Sequence, residues 1–313
     1  MTAACPLCNG NSVIISERIS VKNVVSKYKH VLNIDVSSEF GESSYFYYKR
    51  CGCCDLGYFT PVFAASMRLY EMLQVFPWYY MNDKNEYEFA NRFVKSTDNI
   101  LEIGCGKGAF SKHISPRSYK GLELNLNAQR IACQNSISVL NESIQEHCNL
   151  NLSYDVVCAF QVLEHVAETR SFIESAVKCL KSDGLLILST PSIDSFASIV
   201  PNYILDMPPH HVTRWSDAAY KKLAEIFNLE LIELWHEPLQ KVHRNFYVQT
   251  VLTNFIMRLL NQRNLVWNDS YTFKFANLVC SLPSRLFSFM LPFPFVTPRG
   301  ISVTAVFRKK VGV

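Results

Sequence analysis

Little in this 313-residue chain marks it for export or for a membrane. Its start, Met1-Thr-Ala-Ala-Cys-Pro6, has neither a basic stretch nor an apolar one, so no secretory signal is expected and the cytoplasm is the expected location. The most apolar region, 275–296, is interrupted by Pro283, Pro292 and Pro294 and carries Arg285 at its centre, which makes it a poor bilayer span. Charged residues are only 19% of the chain against 49% hydrophobic ones, which excludes an intrinsically disordered protein. Cysteine, by contrast, is plentiful. Without export, the 11 thiols point to a reduced compartment and metal ligation rather than a disulfide framework.

Four of those cysteines form a pattern. Cys5-Pro-Leu-Cys8 and Cys51-Gly-Cys-Cys54 are two C-x2-C pairs with 42 residues between them. Each pair offers two thiolates from one tight turn, and two such turns complete a tetrahedral zinc site with no open position, hence a structural one. Cys53 makes the register of the second pair ambiguous, and the flanking Arg50 and Asp55-Leu-Gly57 favour Cys51 and Cys54. Alternating patterns at 28–36 and 43–49 predict two strands that carry the second pair. Residues 1–60 are therefore expected to be a small zinc ribbon-like module, and 313 residues leave room for one full α/β domain behind it.

That domain opens at Asn99-Ile-Leu-Glu-Ile-Gly-Cys-Gly-Lys-Gly-Ala-Phe110. An apolar run reads as a buried strand, and Gly104, Gly106 and Gly108 then allow a tight turn with its backbone close to a ligand. A helix is predicted over 108–115, with its first N–H groups facing that ligand. Glu123 follows Gly104 by nineteen residues, near the end of a second predicted strand, an offset that suits two hydrogen bonds to ribose hydroxyls. The pair indicates a nucleoside-bearing cofactor. Gly104, Gly106 and Ala109 also satisfy the looser dinucleotide pattern, so glycine spacing alone leaves a nicotinamide cofactor open.

The surrounding motifs narrow the choice. Leu101-Glu-Ile-Gly-Cys-Gly-Lys-Gly108 resembles the first motif of class I S-adenosylmethionine-dependent methyltransferases. Tyr154-Asp-Val-Val-Cys-Ala-Phe-Gln-Val-Leu-Glu-His-Val166 resembles their fourth-strand motif. Leu185-Leu-Ile-Leu-Ser-Thr-Pro191 and Pro208-Pro-His-His-Val-Thr-Arg-Trp-Ser216 continue the likeness in order. It implies a doubly wound, seven-stranded Rossmann-like sheet whose last strand is antiparallel, built from 99–237 and 298–313. Strands are predicted at 99–103, 119–124, 137–140, 154–160, 184–190, 229–235 and 301–308, and helices at 127–135, 168–181 and 216–227. S-adenosylmethionine is then expected against Glu102, Gly104, Cys105, Gly106 and Gly108, with Glu123 and Leu124 at the ribose. Ser143 and Ile144 should flank the adenine, and Phe160, Gln161 and Val162 the methionine end. The resemblance also supports the zinc module, because many bacterial methyltransferases of sugar, polysaccharide and lipid pathways begin with such a cysteine pair of pairs.

Two further segments complete the chain. Residues 61–98 are expected to be linker helices, with aromatics such as Trp78 and Tyr80 either over the cofactor cleft or packed in a seam. Residues 238–297 form a basic apolar insertion, with an amphipathic helix predicted at 243–262. From 238 to 313 ten lysines and arginines face one acid, Asp269; the overall net charge of +4 leaves the rest of the chain acidic. Such a segment suits peripheral contact with an anionic membrane, or an acidic lipid-linked or nucleotide-linked acceptor. The alternative is a helical cap that buries its apolar face on the sheet or in a homodimer.

Methyl transfer from a sulfonium requires alignment and, for a hydroxyl acceptor, removal of a proton. His211 is the expected base, followed by His165 and His210, all three beside the carboxyl edge of the sheet. The expected activity is O-methylation of a small molecule or a glycan or lipid-linked precursor. Sugar C-methylation is disfavoured because related enzymes carry Glu-His where this chain has His210-His211. RNA methylation and nucleic-acid binding are disfavoured too: Phe160-Gln-Val-Leu163 replaces the Asn-Pro-Pro-Tyr type of loop, and the cysteine module lacks a dense basic-aromatic patch. A degenerate fold acting as a scaffold is opposed by the intact Gly104, Gly106, Gly108 and Glu123.

Overall fold

The computed structural model describes residues 4–79, 81–289 and 298–311; the expected roles of Tyr80 and of 290–297 lie outside them. In chain order the first elements are β1 (Val13–Ser20), α1 (Val21–Leu32), β2 (Tyr45–Cys51), β3 (Gly57–Thr60), α2 (Met67–Leu73) and α3 (Asn85–Asn91). The central ones are β4 (Asn99–Ile103), β5 (Ser118–Leu122), α4 (Leu126–Gln134), β6 (Val139–Leu140), the single turn α5 (Ile144–His147), β7 (Tyr154–Phe160), α6 (Thr169–Lys178) and β8 (Leu180–Pro191). β9 (Thr213–Arg214), α7 (Asp217–Ile226), β10 (Leu229–Pro238), α8 (Arg244–Leu259), α9 (Tyr271–Ser288) and β11 (Arg299–Lys309) finish it.

The main sheet has seven strands in the order β10-β11-β8-β7-β4-β5-β6, with β11 antiparallel to both neighbours and the β6-to-β8 run parallel. This is the doubly wound sheet with an antiparallel last strand that the motifs predict. Its central strands β4 and β7 are mainly apolar because helices cover both faces, with Glu102 and Asp155 as their charged residues. Leu101, Ile103, Val157, Leu186 and Leu188 pack on one face with α6 and α7, while Ile100, Val156, Cys158 and Ile187 pack on the other with Tyr87, Phe89 and Phe110. Helix starts are capped as their sequences suggest: Asn125 accepts from Ala128 N–H, Ser216 from Ala219 N–H, and Ser143 forms a reciprocal capping box with Glu146.

A second sheet, β1-β2-β3-β9, holds the N-terminal region. Its last strand is Thr213–Arg214, from beyond β8, which pairs with Gly57 and Tyr58. The cysteine-bearing turns consequently share a core with the main sheet: Cys5, Leu7, Cys51, Cys54 and Leu56 are buried together with Trp215 and Tyr220.

Two local predictions are corrected. The strand expected at 28–36 is replaced by α1, whose buried residues Val21, Val24 and Tyr28 recur at helical spacing and which ends at Asn33 with φ +57°. The helix expected over 108–115 shrinks to one 3-10 turn at Phe110–His113, since Gly108 has φ +75° and Ile114 returns to extended backbone. There is accordingly no helix N-terminus behind the glycine loop.

Candidate active site

Above the carboxyl ends of β4, β5 and β7 lies a cavity of about 960 Å³, at the top of the roughly 300–1,000 Å³ range of ligand pockets. The glycine loop forms one wall. Gly104 has φ +66°, and a Cβ there would come within 2.5 Å of Val162 Cγ2, so only glycine lets the β4 and β7 loops close on each other. Glu123, one residue past β5, is already tied to that loop: Oε2 accepts from Gly106 N–H at 2.8 Å and Oε1 from Asn125 N–H at 2.7 Å. Burial raises its carboxyl above the ordinary value despite these bonds. Asn141 clamps the neighbouring turn by donating to the carbonyls of Glu123 and Leu124.

Gly104, Cys105, Gly106, Glu123, Leu124, Ser143, Ile144, Phe160, Gln161 and Val162 all line this cavity. Gln161 sits at φ +57°, which non-glycine residues rarely adopt; its side-chain amide bridges Glu86, Ser189 and Ser302 at 3.3 Å each, holding the turn in place. Two of the predicted cofactor residues do not face the cavity. Glu102 is 2% exposed beneath the loop, bonded to the Tyr119 hydroxyl, and burial pushes its carboxyl up to about 8. Gly108 packs against Ile137.

The opposite end of the cavity gathers His165, His210 and His211 with ring centroids 4.5–4.7 Å apart. His165 comes from the turn after β7 and the other two from the loop before β9 (Thr213–Arg214), so the bulk of 44 intervening residues is folded away to join them. Burial holds His165 and His211 well below the usual imidazole range and His210 at about 4, so all three are neutral near pH 7. Glu164 and His165 do not cap α6, whose N-cap is Glu168. Glu164 lines the cavity, and burial pushes its carboxyl up to about 8.

Sequence reasoning missed several residues here. Asp206, paired with Arg214 at 2.7 Å, also faces His211 Nδ1 at 3.2 Å. Tyr70 and Tyr79 lay their rings against His165 and His210. Met67, Gln74, Pro77 and Trp78 complete a roof from the 61–98 segment, so its aromatics do cover the cleft. The five-residue offset from Asp206 to His211 was the only signal visible in one dimension.

The four cysteines meet at the other side of β3 (Gly57–Thr60). Cys5 Sγ lies 3.5 Å from Cys54 Sγ and Cys8 Sγ 3.6 Å from Cys51 Sγ, and all four sulfurs fall within 4.8 Å of one another. Four thiolates about 2.3 Å from one zinc ion would be roughly 3.8 Å apart, so the set fits a tetrahedral ion. Backbone N–H groups of Gly10 and Cys53 point at Cys8 and Cys51 sulfurs, and Cys53 itself is exposed, which resolves its register.

The insertion forms a helical hairpin of α8 against α9. Ala276, Cys280 and Ser284 are buried along α9, while Phe275, Leu278, Leu282 and Leu286 project outward at 69–73% exposure. The apolar face is therefore not buried on the sheet. Among the described residues no helix is long and apolar enough to cross a membrane.

A family profile described as a methyltransferase domain matches residues 78–234. The ubiquinone biosynthesis O-methyltransferase of Rickettsia prowazekii is 31% identical over 171 residues, covering 47% of this chain and 67% of that protein. Its namesake in Glaesserella parasuis is 28% identical over 147 residues, covering 42% and 59%. The chain thus spans about three fifths to two thirds of the length of these relatives. Neither is named for the sugar or polysaccharide pathways that the sequence suggested. Among solved structures, a SAM-dependent methyltransferase from Archaeoglobus fulgidus aligns over 78% of this chain and 95% of its own, with a TM-score of 0.48 and 15% identity. Coclaurine N-methyltransferase bound to N-methylheliamine and SAH aligns over 72% of each chain, with a TM-score of 0.45 and 13% identity.

Proposed function

Since the chain belongs to the class I S-adenosylmethionine-dependent methyltransferase family, we propose that it methylates a hydroxyl group on a small, lipid-borne acceptor. One observation carries this reading: a single cavity joins the glycine loop and Glu123 to a cluster of three neutral histidines. The cofactor's ribose is assigned to Glu123, its adenine to Ser143 and Ile144, and its methionine end to Phe160, Gln161 and Val162. When bound, the sulfonium supplies an activated methyl group with a good leaving group. The chain's own task is to orient the acceptor and ease removal of its proton. His211 is the residue best placed to act on the acceptor, because it lines the cavity and Asp206 holds its Nδ1. His165 and His210 flank it. The likeness to O-methyltransferases supports oxygen rather than nitrogen or carbon as the nucleophile.

His211→Ala should lower kcat by roughly 10²–10⁴ while S-adenosylmethionine affinity stays near wild type. The assay is S-adenosylhomocysteine release against phenolic, glycosyl and lipid-linked hydroxyl acceptors. Full activity in the variant would remove the histidine cluster from the chemistry.

The α8–α9 hairpin supports an acceptor held at an anionic membrane. Its exposed apolar face is flanked by Arg258, Arg263, Lys274 and Arg285, and acids are almost absent from this part of the chain. Apolar burial and attraction to anionic headgroups then act together. Full-length protein should sediment with vesicles containing about 30% phosphatidylglycerol and not with phosphatidylcholine alone. Leu282→Glu with Leu286→Glu should abolish that binding, and high salt should weaken it by screening. A dimer in solution with no vesicle binding would assign the face to a second copy instead.

The four cysteines are proposed to hold structural zinc, an ion that takes no part in the chemistry at the cavity because none of its ligand positions stays open.

A further inference from the structure

The histidine cluster has a hydrogen-bond pattern that a simple proton acceptor does not need. Carbonyl oxygens only accept. His165 Nδ1 faces the His210 carbonyl at 2.6 Å and His210 Nδ1 faces that of Leu205 at 3.0 Å, so both rings carry their proton on Nδ1. His211 is turned the same way toward Asp206, which Arg214 holds by a 2.7 Å ion pair. Every ring therefore keeps its lone pair on Nε2. His210 Nε2 is buried and meets no hydrogen-bond partner among the described residues, and the same is true of both Glu164 oxygens. Glu164 is 1% exposed and brings Oε1 to 3.9 Å from His165 Nε2. One ring nitrogen of each histidine lies within 4.8 Å of the other two. Buried acceptors left unbonded cost about 1–3 kcal/mol each, and Glu164 stands beside the three-histidine cluster through its approach to His165.

We propose that His165, His210, His211 and Glu164 hold a divalent transition-metal ion that binds the acceptor hydroxyl. The proposal rests on reading this end of the cavity as the acceptor pocket. The backing of the rings supports it: a ligating histidine characteristically donates its second N–H to a carbonyl or carboxylate, and all three rings do so. Three imidazoles and one carboxylate suit Mn²⁺, Fe²⁺, Co²⁺ or Zn²⁺ rather than Mg²⁺ or Ca²⁺, which take oxygen ligands. Ligands about 2.0–2.2 Å from an ion stand roughly 3–3.5 Å apart, so binding draws the rings slightly together. In the step this assists, the acceptor O–H releases its proton to solvent and the oxygen lone pair forms the bond to the methyl carbon. The sulfur–carbon pair returns to sulfur, and no electrons are gained or lost overall.

The test uses the full chain carrying its cysteine-bound zinc, with Mn²⁺ as probe because thiolates bind it poorly. Equilibrium dialysis should count one Mn²⁺ per chain beyond that zinc. His210→Ala should weaken uptake by more than about 100-fold and Glu164→Gln, which keeps the side chain's size, by roughly 10-fold. S-adenosylmethionine binding, measured by calorimetry, should stay near wild type in both variants and so report an intact fold. If wild-type protein that binds S-adenosylmethionine takes up neither Mn²⁺ nor Co²⁺, or if His210→Ala takes up Mn²⁺ as tightly, the metal site is overturned. Cation uptake without S-adenosylmethionine binding upholds the metal site and removes the methyltransferase reading instead.

Discussion

Cys8→Ser should release the zinc proposed at the four-cysteine site and lower the melting temperature by roughly 10 °C. Loss of one thiolate from a closed tetrahedral set removes most of a metal-binding energy that is also folding energy. Several kcal/mol, at about 2–4 °C per kcal/mol in a chain of this size, give that shift. The effect should spread beyond the N-terminal turns. Gly57 and Tyr58 pair with Arg214 and Thr213, so loosening the cysteine turns loosens the strand that follows His211. Hydrogen exchange should accordingly rise at Thr213–Arg214 as well as around the cysteines, while β4 (Asn99–Ile103) stays protected. Elemental analysis of wild-type protein purified without chelator should find one zinc ion for these cysteines. A value of zero would dismiss the assignment.

Glu123→Ala should reduce S-adenosylmethionine affinity by about 10²–10⁴-fold. Two charge-assisted hydrogen bonds to the ribose are worth roughly 1.5–3 kcal/mol each, and every 1.4 kcal/mol is tenfold. The structure adds a second cost. The same carboxylate receives the N–H groups of Gly106 and Asn125, so its removal also leaves two loop donors without their partner. Glu123→Gln, which retains an acceptor oxygen, should therefore fall between wild type and alanine. Calorimetric titration measures both, and an unchanged Kd in the alanine variant would place the ribose elsewhere.

The parts legible in the sequence are those in which burial dictates residue type. β4 and β7 (Tyr154–Phe160) lie between two helical layers, so mainly apolar runs mark them within a residue or two. The place of Glu123 beside the glycine loop was readable, because it follows that loop by a fixed offset at the end of the next strand. α1 (Val21–Leu32) was not, because Val24, Val25 and Tyr28 are residues that strands favour, and only packing on Phe46 and Phe59 selects the helix. The glycine loop was recognised but its helix was overextended: Gly108 at positive φ stops the turn that Phe110 and Ile114 imitate. His165, His210 and His211 could each be placed at the sheet edge. Their convergence could not be read, since two of the three groups that orient them are backbone carbonyls, which no side-chain pattern encodes.

That last arrangement has a practical consequence for altering what the enzyme accepts. Leu205 lines the cavity and packs against the Tyr28 and Met207 cluster, while its carbonyl accepts from His210. The side chain can be exchanged for a smaller or larger apolar one without touching the atom that sets the tautomer. With the acceptor placed at this end of the cavity as proposed, residue 205 is a position at which acceptor range can be redesigned while the tautomer of His210 is held constant.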